Sequence, residues 1–257
     1  MDADRHRSRG ARSRALRLLR VTALAALAAA AAATAACKAP PPPLVLPDVA
    51  IVAPVNFDST SPPQIRAGEE HVQALVEAYL ERSGVRVQPV EPPAFIEAWE
   101  AELGDTARAK LTNEGFAAIL GRVLERLAEP GTDTVLVVPH VLYRQAKLVG
   151  TKGRWDGVGR KVVIEGLWEI EGIEFHGQFS GDIVATSARI RVVDRQATVV
   201  HEGFGGIDLA QKLSGGTRGS VYRYQWTDRT GGEIFEDKSN IASAIVTAFD
   251  PFIPKSR

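Results

Sequence analysis

The chain has 257 residues, with 31 Lys and Arg against 31 Asp and Glu, but seven of the arginines lie within the first twenty positions. Beyond residue 36 there are 221 residues, with 24 basic and 29 acidic side chains, so this part carries a net charge of −5. An acidic balance argues against nucleic acid as a partner, because contact with the phosphate backbone needs a basic surface. The single cysteine, Cys37, excludes internal disulfides and cysteine-built zinc sites.

The amino-terminal segment has the pattern of an export signal. A basic region, a short apolar run over residues 21–36 and small residues before a cut site together define a secretory signal peptide. The apolar run has 16 residues, fewer than the about 20 that a helix needs to cross a bilayer. The sequence therefore predicts that residues 1–36 are a cleaved leader.

The segment Thr34-Ala35-Ala36-Cys37 resembles the lipobox of bacterial lipoproteins, with Thr34 where that family more often has Leu. The resemblance implies cleavage before Cys37, a diacylglycerol on its thiol and a further acyl chain, such as palmitate, on the new amino terminus. Lys38 is not the aspartate that holds enterobacterial lipoproteins at the inner membrane. An anchor in the outer membrane, facing the periplasm, is therefore expected. The alternative is an ordinary secretory signal that ends beside a cysteine.

The chain after the leader divides into a linker over residues 37–47 and a single domain over residues 48–257. Four consecutive prolines at 40–43 favour an extended, semi-rigid spacer. The first half of the domain alternates strands with amphipathic helices, as its apolar spacing indicates. Strands are predicted over residues 48–55, 85–90 and 134–142, and helices over 64–82, 92–103 and 116–127. Pro139 is expected to place the far half of the third strand at an edge or a bulge.

The second half of the domain has the composition of β-structure. Residues 144–161 predict a long exposed hairpin tip, and residues 162–183 a strand with a bulge at Gly172. A strand over 183–193, with Arg189 and Arg191 on one face, turns at 194–197 into a strand over 198–202. Residues 203–232 give no clear pattern, and a last helix is predicted to begin at a Ser239 cap. The predicted fold is α/β (α+β): a mixed sheet, helices packed on it, and a long hairpin in the second half.

This order of elements, with segments 48–55, 134–141 and 187–203, resembles a group of periplasmic lipoproteins. They are related to the curli secretion protein and to the outer-membrane activators of penicillin-binding proteins, and their domain is similar to the amino-terminal domain of the TolB translocation protein. In segment 187–203 a strand I-R-V-V-D turns into T-V-V-H-E-G, with Ala197 where the family usually has Gly.

The resemblance implies a non-catalytic protein-binding or assembly factor whose partner belongs to an envelope machine, such as a cell-wall synthase or a secretion assembly. It also leaves open an oligomer of this chain that forms an outer-membrane pore. A pore strand needs about nine to eleven alternating residues, and residues 162–183 approach that pattern but are broken by Glu165, Glu169 and Gly172.

Signatures of catalysis and of cofactor binding are missing from the sequence. The histidines at 71, 140, 176 and 201 lack zincin spacing, and no serine lies in a G-x-S-x-G or S-x-x-K motif. The glycine-rich residues 153–161 lack the G-K-[ST] ending of a phosphate loop. We therefore expect no enzyme activity, no cofactor and no metal. An unrecognised envelope hydrolase is the alternative from another functional class.

The predicted hairpin tip over residues 144–161 contains six basic side chains and one acid, Asp156. Trp and Arg are the residues most enriched at binding hot spots, so Arg154, Trp155 and Arg160 are the predicted binding residues. Their expected target is an acidic protein surface or anionic lipid headgroups. The alternative is a solvated loop that has no function.

Overall fold

The computed structural model describes residues 46–106, 111–165, 179–218 and 221–253. The predicted leader, the lipid site at Cys37, the bulge at Gly172 and His176 lie outside these residues. In the described part of the chain, no helix is both long enough and apolar enough to cross a membrane.

The described residues form six helices and ten strands, which confirms the predicted mixed α/β class. The helices are α1 (Pro63–Arg66), α2 (Glu69–Arg82), α3 (Pro92–Leu103), α4 (Asn113–Leu127), α5 (Gly231–Phe235) and α6 (Lys238–Phe249). The first five strands are β1 (Val49–Val52), β2 (Arg86–Gln88), β3 (Thr134–Gly150), β4 (Lys152–Trp155) and β5 (Val158–Lys161). The others are β6 (Ile164–Glu165), β7 (Phe179–Val193), β8 (Val199–Leu209), β9 (Gln211–Arg218) and β10 (Val221–Asp228).

Seven strands form one mixed sheet in which β1 lies between β2 and β3 and is parallel to both. β3 then pairs antiparallel with β7, and β7 with β8, so the order across the sheet is β2-β1-β3-β7-β8. All four residues of β1 are buried, as an apolar strand covered on both faces should be.

Two layers of helices cover the two faces of this sheet. On one face, α1, α2, α5 and α6 pack on the side chains of Ala50 and Val52. On the other face, α3 and α4 pack on Ile51, Leu136 and Val193. Because successive side chains of β1 point to opposite faces of the sheet, this one strand contributes to two separate cores. The far end of the sheet has a third core, which also includes Leu213 from a small sheet of β6, β9 and β10.

Pro139 lies inside β3, which continues for 11 residues beyond it while paired with β7. On the other side of β3, pairing with β1 ends at Val137. The backbone groups of residue 139 point to that side, because its carbonyl accepts the N–H of Asn56. The missing N–H of Pro139 therefore costs no ladder bond, and the predicted edge is confirmed on this side alone.

The turn between β7 and β8 matches the predicted hairpin. Ala197 has φ 59°, a conformation that favours glycine and explains why a glycine would suit this position. The carboxylate of Asp194 accepts the N–H groups of Gln196 and Thr198, which closes the turn.

The cap predicted for the last helix is wrong by two residues. Asp237, not Ser239, is the N-cap of α6, and its carboxylate accepts the N–H of Ser239. An aspartate is as good a cap as a serine, and its charge also favours the helix amino terminus.

Candidate functional site

The candidate site is a cavity of about 190 Å³ beside the carboxyl end of β1. The connection from β1 to β2 crosses one face of the sheet through α2, and the connection from β2 to β3, on the other side of β1, crosses the other face through α3 and α4. The strand order therefore reverses direction at β1, and open α/β sheets bind ligands outside the carboxyl ends of the strands at such a point. The cavity is lined by Asp58, Trp99, Leu111, Thr112, Asn113, Phe116, Arg189 and Arg191.

The amino terminus of α4 forms one wall of the cavity. Thr112 caps the helix by accepting the N–H of Gly115 at 3.1 Å. The N–H groups of Asn113 and Glu114 have no intrahelical acceptor, because the first turn of a helix lacks them. The helix dipole adds partial positive charge at the same place. This wall therefore favours hydrogen-bond acceptors and negative charge.

Two arginines from β7 also line the cavity. Arg189 and Arg191 lie two residues apart on the strand, so both point to the face that α3 and α4 cover. Arg191 is 7 % exposed, donates to Glu202 at 3.1 Å through Nη2, and lies over the ring of Phe116. Burial, and then the like charge of Arg191, lower the pKa of Arg189. A guanidinium stays charged even so, and the carboxylates of Glu202 and Asp58 act on this pKa in the opposite direction.

The loop after β1 supplies one acidic group to the cavity. Asp58 accepts a hydrogen bond from Nε2 of His140 at 2.9 Å. Burial acts to raise the pKa of Asp58, but the hydrogen bond and charge of His140, helped by Arg189, lower it overall. Asp58 is therefore ionised at neutral pH. The loop itself is fixed by Asn56, whose Oδ1 accepts the N–H of Val141 at 2.9 Å.

Aromatic rings form the apolar side of the cavity. Phe57 contacts Trp99 edge to face at a centroid distance of 4.9 Å, and Trp99 contacts Phe116 at 5.3 Å. Trp99 is fully buried, yet its indole Nε1 has no hydrogen-bond partner among the described residues. An unpaired N–H inside a protein costs free energy, and this one belongs to a side chain that lines the cavity.

The described lining therefore has an excess of donors over acceptors. Nε of Arg189, Nε of Arg191 and Nε1 of Trp99 are all buried without a partner. Native proteins leave few such groups, and each one calls for an explanation. A ligand that carries hydrogen-bond acceptors, one negative charge and an apolar part would match the guanidinium groups, the amino terminus of α4 and the aromatic rings that line the cavity.

Catalytic geometry is a separate question from binding. The hydrogen bonds of the two buried histidines go to the carboxylate of Asp58 and to the carbonyl of Ala248. A nucleophile is activated by a hydrogen bond to its base, and neither of these contacts supplies one. Among the described residues, no group of three metal-ligating side chains comes together.

The residues predicted to form a basic binding tip lie elsewhere, at the third core. The expected long exposed tip is wrong, because β3 continues to Gly150 and the chain then folds back as β4 and β5. Trp155 is only 7 % exposed and packs in the third core. Its Nε1 donates to the carbonyl of Thr186 and to Oγ of Ser187, both at 3.1 Å.

The two arginines of that prediction differ in their surroundings. Arg154 is exposed, whereas Arg160 is half-buried and donates to the carbonyl of Ile207 at 3.2 Å. Their role in binding stays a prediction, but Trp155 is placed to stabilise the fold.

The sequence analysis did not identify the cavity as a site. It assigned Arg189 and Arg191 to one face of a strand, and that pair was the available signal. Val193, the next residue on the same face, is fully buried. A charged pair that continues into a buried position indicates a covered face, where guanidinium groups need partners.

Comparison with known proteins adds no relative. A scan against protein-family models and a search of curated proteins find no match to this chain.

Proposed function

We propose that the chain is a lipid-anchored lipoprotein of the bacterial envelope. Its folded domain binds other envelope proteins and catalyses no reaction. The observation that carries the proposal is the cavity at the carboxyl end of β1, which is lined by two arginines and by the amino terminus of α4, and where Nε of both arginines has no acceptor among the described residues. Binding accounts for such donors directly, because a partner that supplies acceptors removes the cost of leaving them unpaired.

The position of the cavity also supports a binding role. Its walls come from β7, from α4 and from the loop after β1, so the contributing groups are held by regular elements or by a pinned loop. Sites built on such supports hold their geometry before the partner arrives, which lowers the entropy cost of association. The spacer over residues 37–47 would hold the domain away from the membrane, within reach of a partner.

The anchor is tested by changing Cys37 to Ser. We expect the variant to lose labelling with palmitate and either to keep its leader or to leave the membrane fraction, because acyl chains supply the membrane affinity. Fractionation with metabolic labelling measures both outcomes. A variant that still labels and sediments with membranes contradicts the anchor.

The binding role is tested by recovering the full chain from detergent extracts of cross-linked cells. We expect at least one envelope protein to be recovered with the wild type and lost when Arg189 and Arg191 are both changed to Ala. Arg122→Ala is the matched control, because Arg122 is an arginine on the exposed side of α4 and binds Glu102 there. The variant Arg154→Ala/Arg160→Ala tests the basic residues of β4 and β5 in the same way.

Three results would contradict this proposal. The first is that the same proteins are recovered with all variants. The second is that the purified chain cleaves peptidoglycan or an ester and loses that activity on changing His140, which would favour the hydrolase alternative. The third is ion conductance from the purified chain in planar bilayers, which would favour the pore alternative.

A further inference from the structure

We infer that the cavity beside β1 binds a single carboxylate, with the group next to that carboxylate lying on the aromatic side of the cavity. The inference rests on the proposed function for the source of the carboxylate, which is the bound protein. The chemistry of the ligand follows from the residues that line the cavity.

The cavity is lined by hydrogen-bond donors. The guanidinium groups of Arg189 and Arg191 belong to the lining, and Nε of each has no acceptor among the described residues. Guanidinium groups bind planar carboxylates through two parallel hydrogen bonds, and these are about twice as strong as bonds between neutral groups. The amino-terminal end of α4 also lines the cavity, through Thr112 and Asn113. The ligand must therefore be an acceptor that carries negative charge.

The net charge of the lining limits the charge of the ligand. The described lining contains two cations, Arg189 and Arg191, and one anion, Asp58. The lining alone therefore has one positive charge in excess, and the Glu202 carboxylate that pairs with Arg191 from outside the lining offsets it only in part, because Glu202 is 36 % exposed and screened by solvent. A carboxylate matches this excess. A phosphate dianion would bring more charge than the cavity compensates and would be repelled by Asp58.

The volume and the apolar surface of the cavity limit the size and the shape of the ligand. A cavity of about 190 Å³ holds one small group and not a whole cofactor. The rings of Trp99 and Phe116 both line the cavity, with their centroids 5.3 Å apart, and give an apolar surface to the atoms that follow the carboxylate. The end of a protein chain and an acidic side chain both fit this description.

The experiment titrates propionate into the full chain purified in detergent and follows the indole N–H signal of Trp99 by ¹⁵N NMR. The signal is assigned with Trp99→Phe. We expect a saturable shift with propionate and none with propionamide, which has the same shape without the charge. Arg189→Gln should weaken propionate binding by about tenfold or more, as expected for the loss of a charge-assisted pair. Arg122→Gln is the control and should bind as the wild type does.

Two further probes distinguish the sources of the carboxylate. N-acetyl-leucine presents the carboxylate of a chain end, and N-acetyl-glutamate α-amide presents that of a side chain. The tighter of the two names the source. Inorganic phosphate is titrated in parallel, and tighter binding of phosphate than of propionate would overturn the assignment to a carboxylate.

The inference is also overturned if propionate does not saturate, if propionamide acts equally, or if Arg189→Gln binds as well as the wild type. The proposed function remains supported after any of these results if the arginine variants still fail to recover an envelope protein that the wild type recovers. Conversely, saturable propionate binding with no loss of any recovered protein contradicts the proposed function and keeps the carboxylate site.

Discussion

Changing Trp155 to Ala is expected to destabilise the domain by about 3–5 kcal/mol, the usual cost of truncating a buried aromatic side chain. Trp155 is packed against the third core, which includes Leu148, Ile183 and Leu209. Its truncation would leave a large cavity and remove the donor to Thr186 and Ser187. In a domain of this size the midpoint of thermal unfolding should fall by on the order of 10 °C.

Circular dichroism during heating measures this change, and Trp226→Ala is the matched control. Trp226 is 39 % exposed, so its truncation removes less buried area and should cost much less. The sequence analysis implies the opposite result, since a tryptophan on an exposed tip could be removed without loss of stability. If Trp155→Ala melts within about 2 °C of the wild type, the burial of this side chain is wrong.

Changing Gly205 to Ala is expected to destabilise the domain by about 3 kcal/mol or more, because overpacking moves backbone in a filled core. A Cβ at Gly205 would overlap the carbonyl oxygen of Ala244, and one at Gly203 would overlap that of Ala248. Both carbonyls belong to α6, so the two glycines let the backbones of β8 and α6 approach directly. Neither backbone can give way as a flexible side chain would.

Gly232→Ala is the control for this change. Gly232 lies in the first turn of α5, and the nearest atom to an added Cβ is 4.0 Å away. Alanine there should be neutral or stabilise by up to about 1 kcal/mol. Chemical denaturation of both variants measures the difference. Equal stabilities would show that α6 and β8 are not in direct backbone contact.

The sequence by itself determined the class of fold, because local periodicity decides which segments are strands and which are amphipathic helices. The strand β1, the helices α2 and α4 and the hairpin of β7 and β8 all follow from apolar spacing and turn residues within single segments. It also predicted the leader and the lipid site at Cys37, which depend on local sequence alone.

Tertiary structure alone decided which polar residues come together. Asp58, Trp99, Asn113 and Arg189 lie far apart in the chain and meet because the crossover from β2 to β3 places α3 and α4 over the sheet face that β7 extends. The burial of Trp155 was likewise invisible in its own segment, where glycines and basic residues indicate an exposed tip. Its burial depends on the pairing of β4 with β3 and on Leu213 from the second sheet. Burial is a property of what packs against a residue, and distant segments supply that.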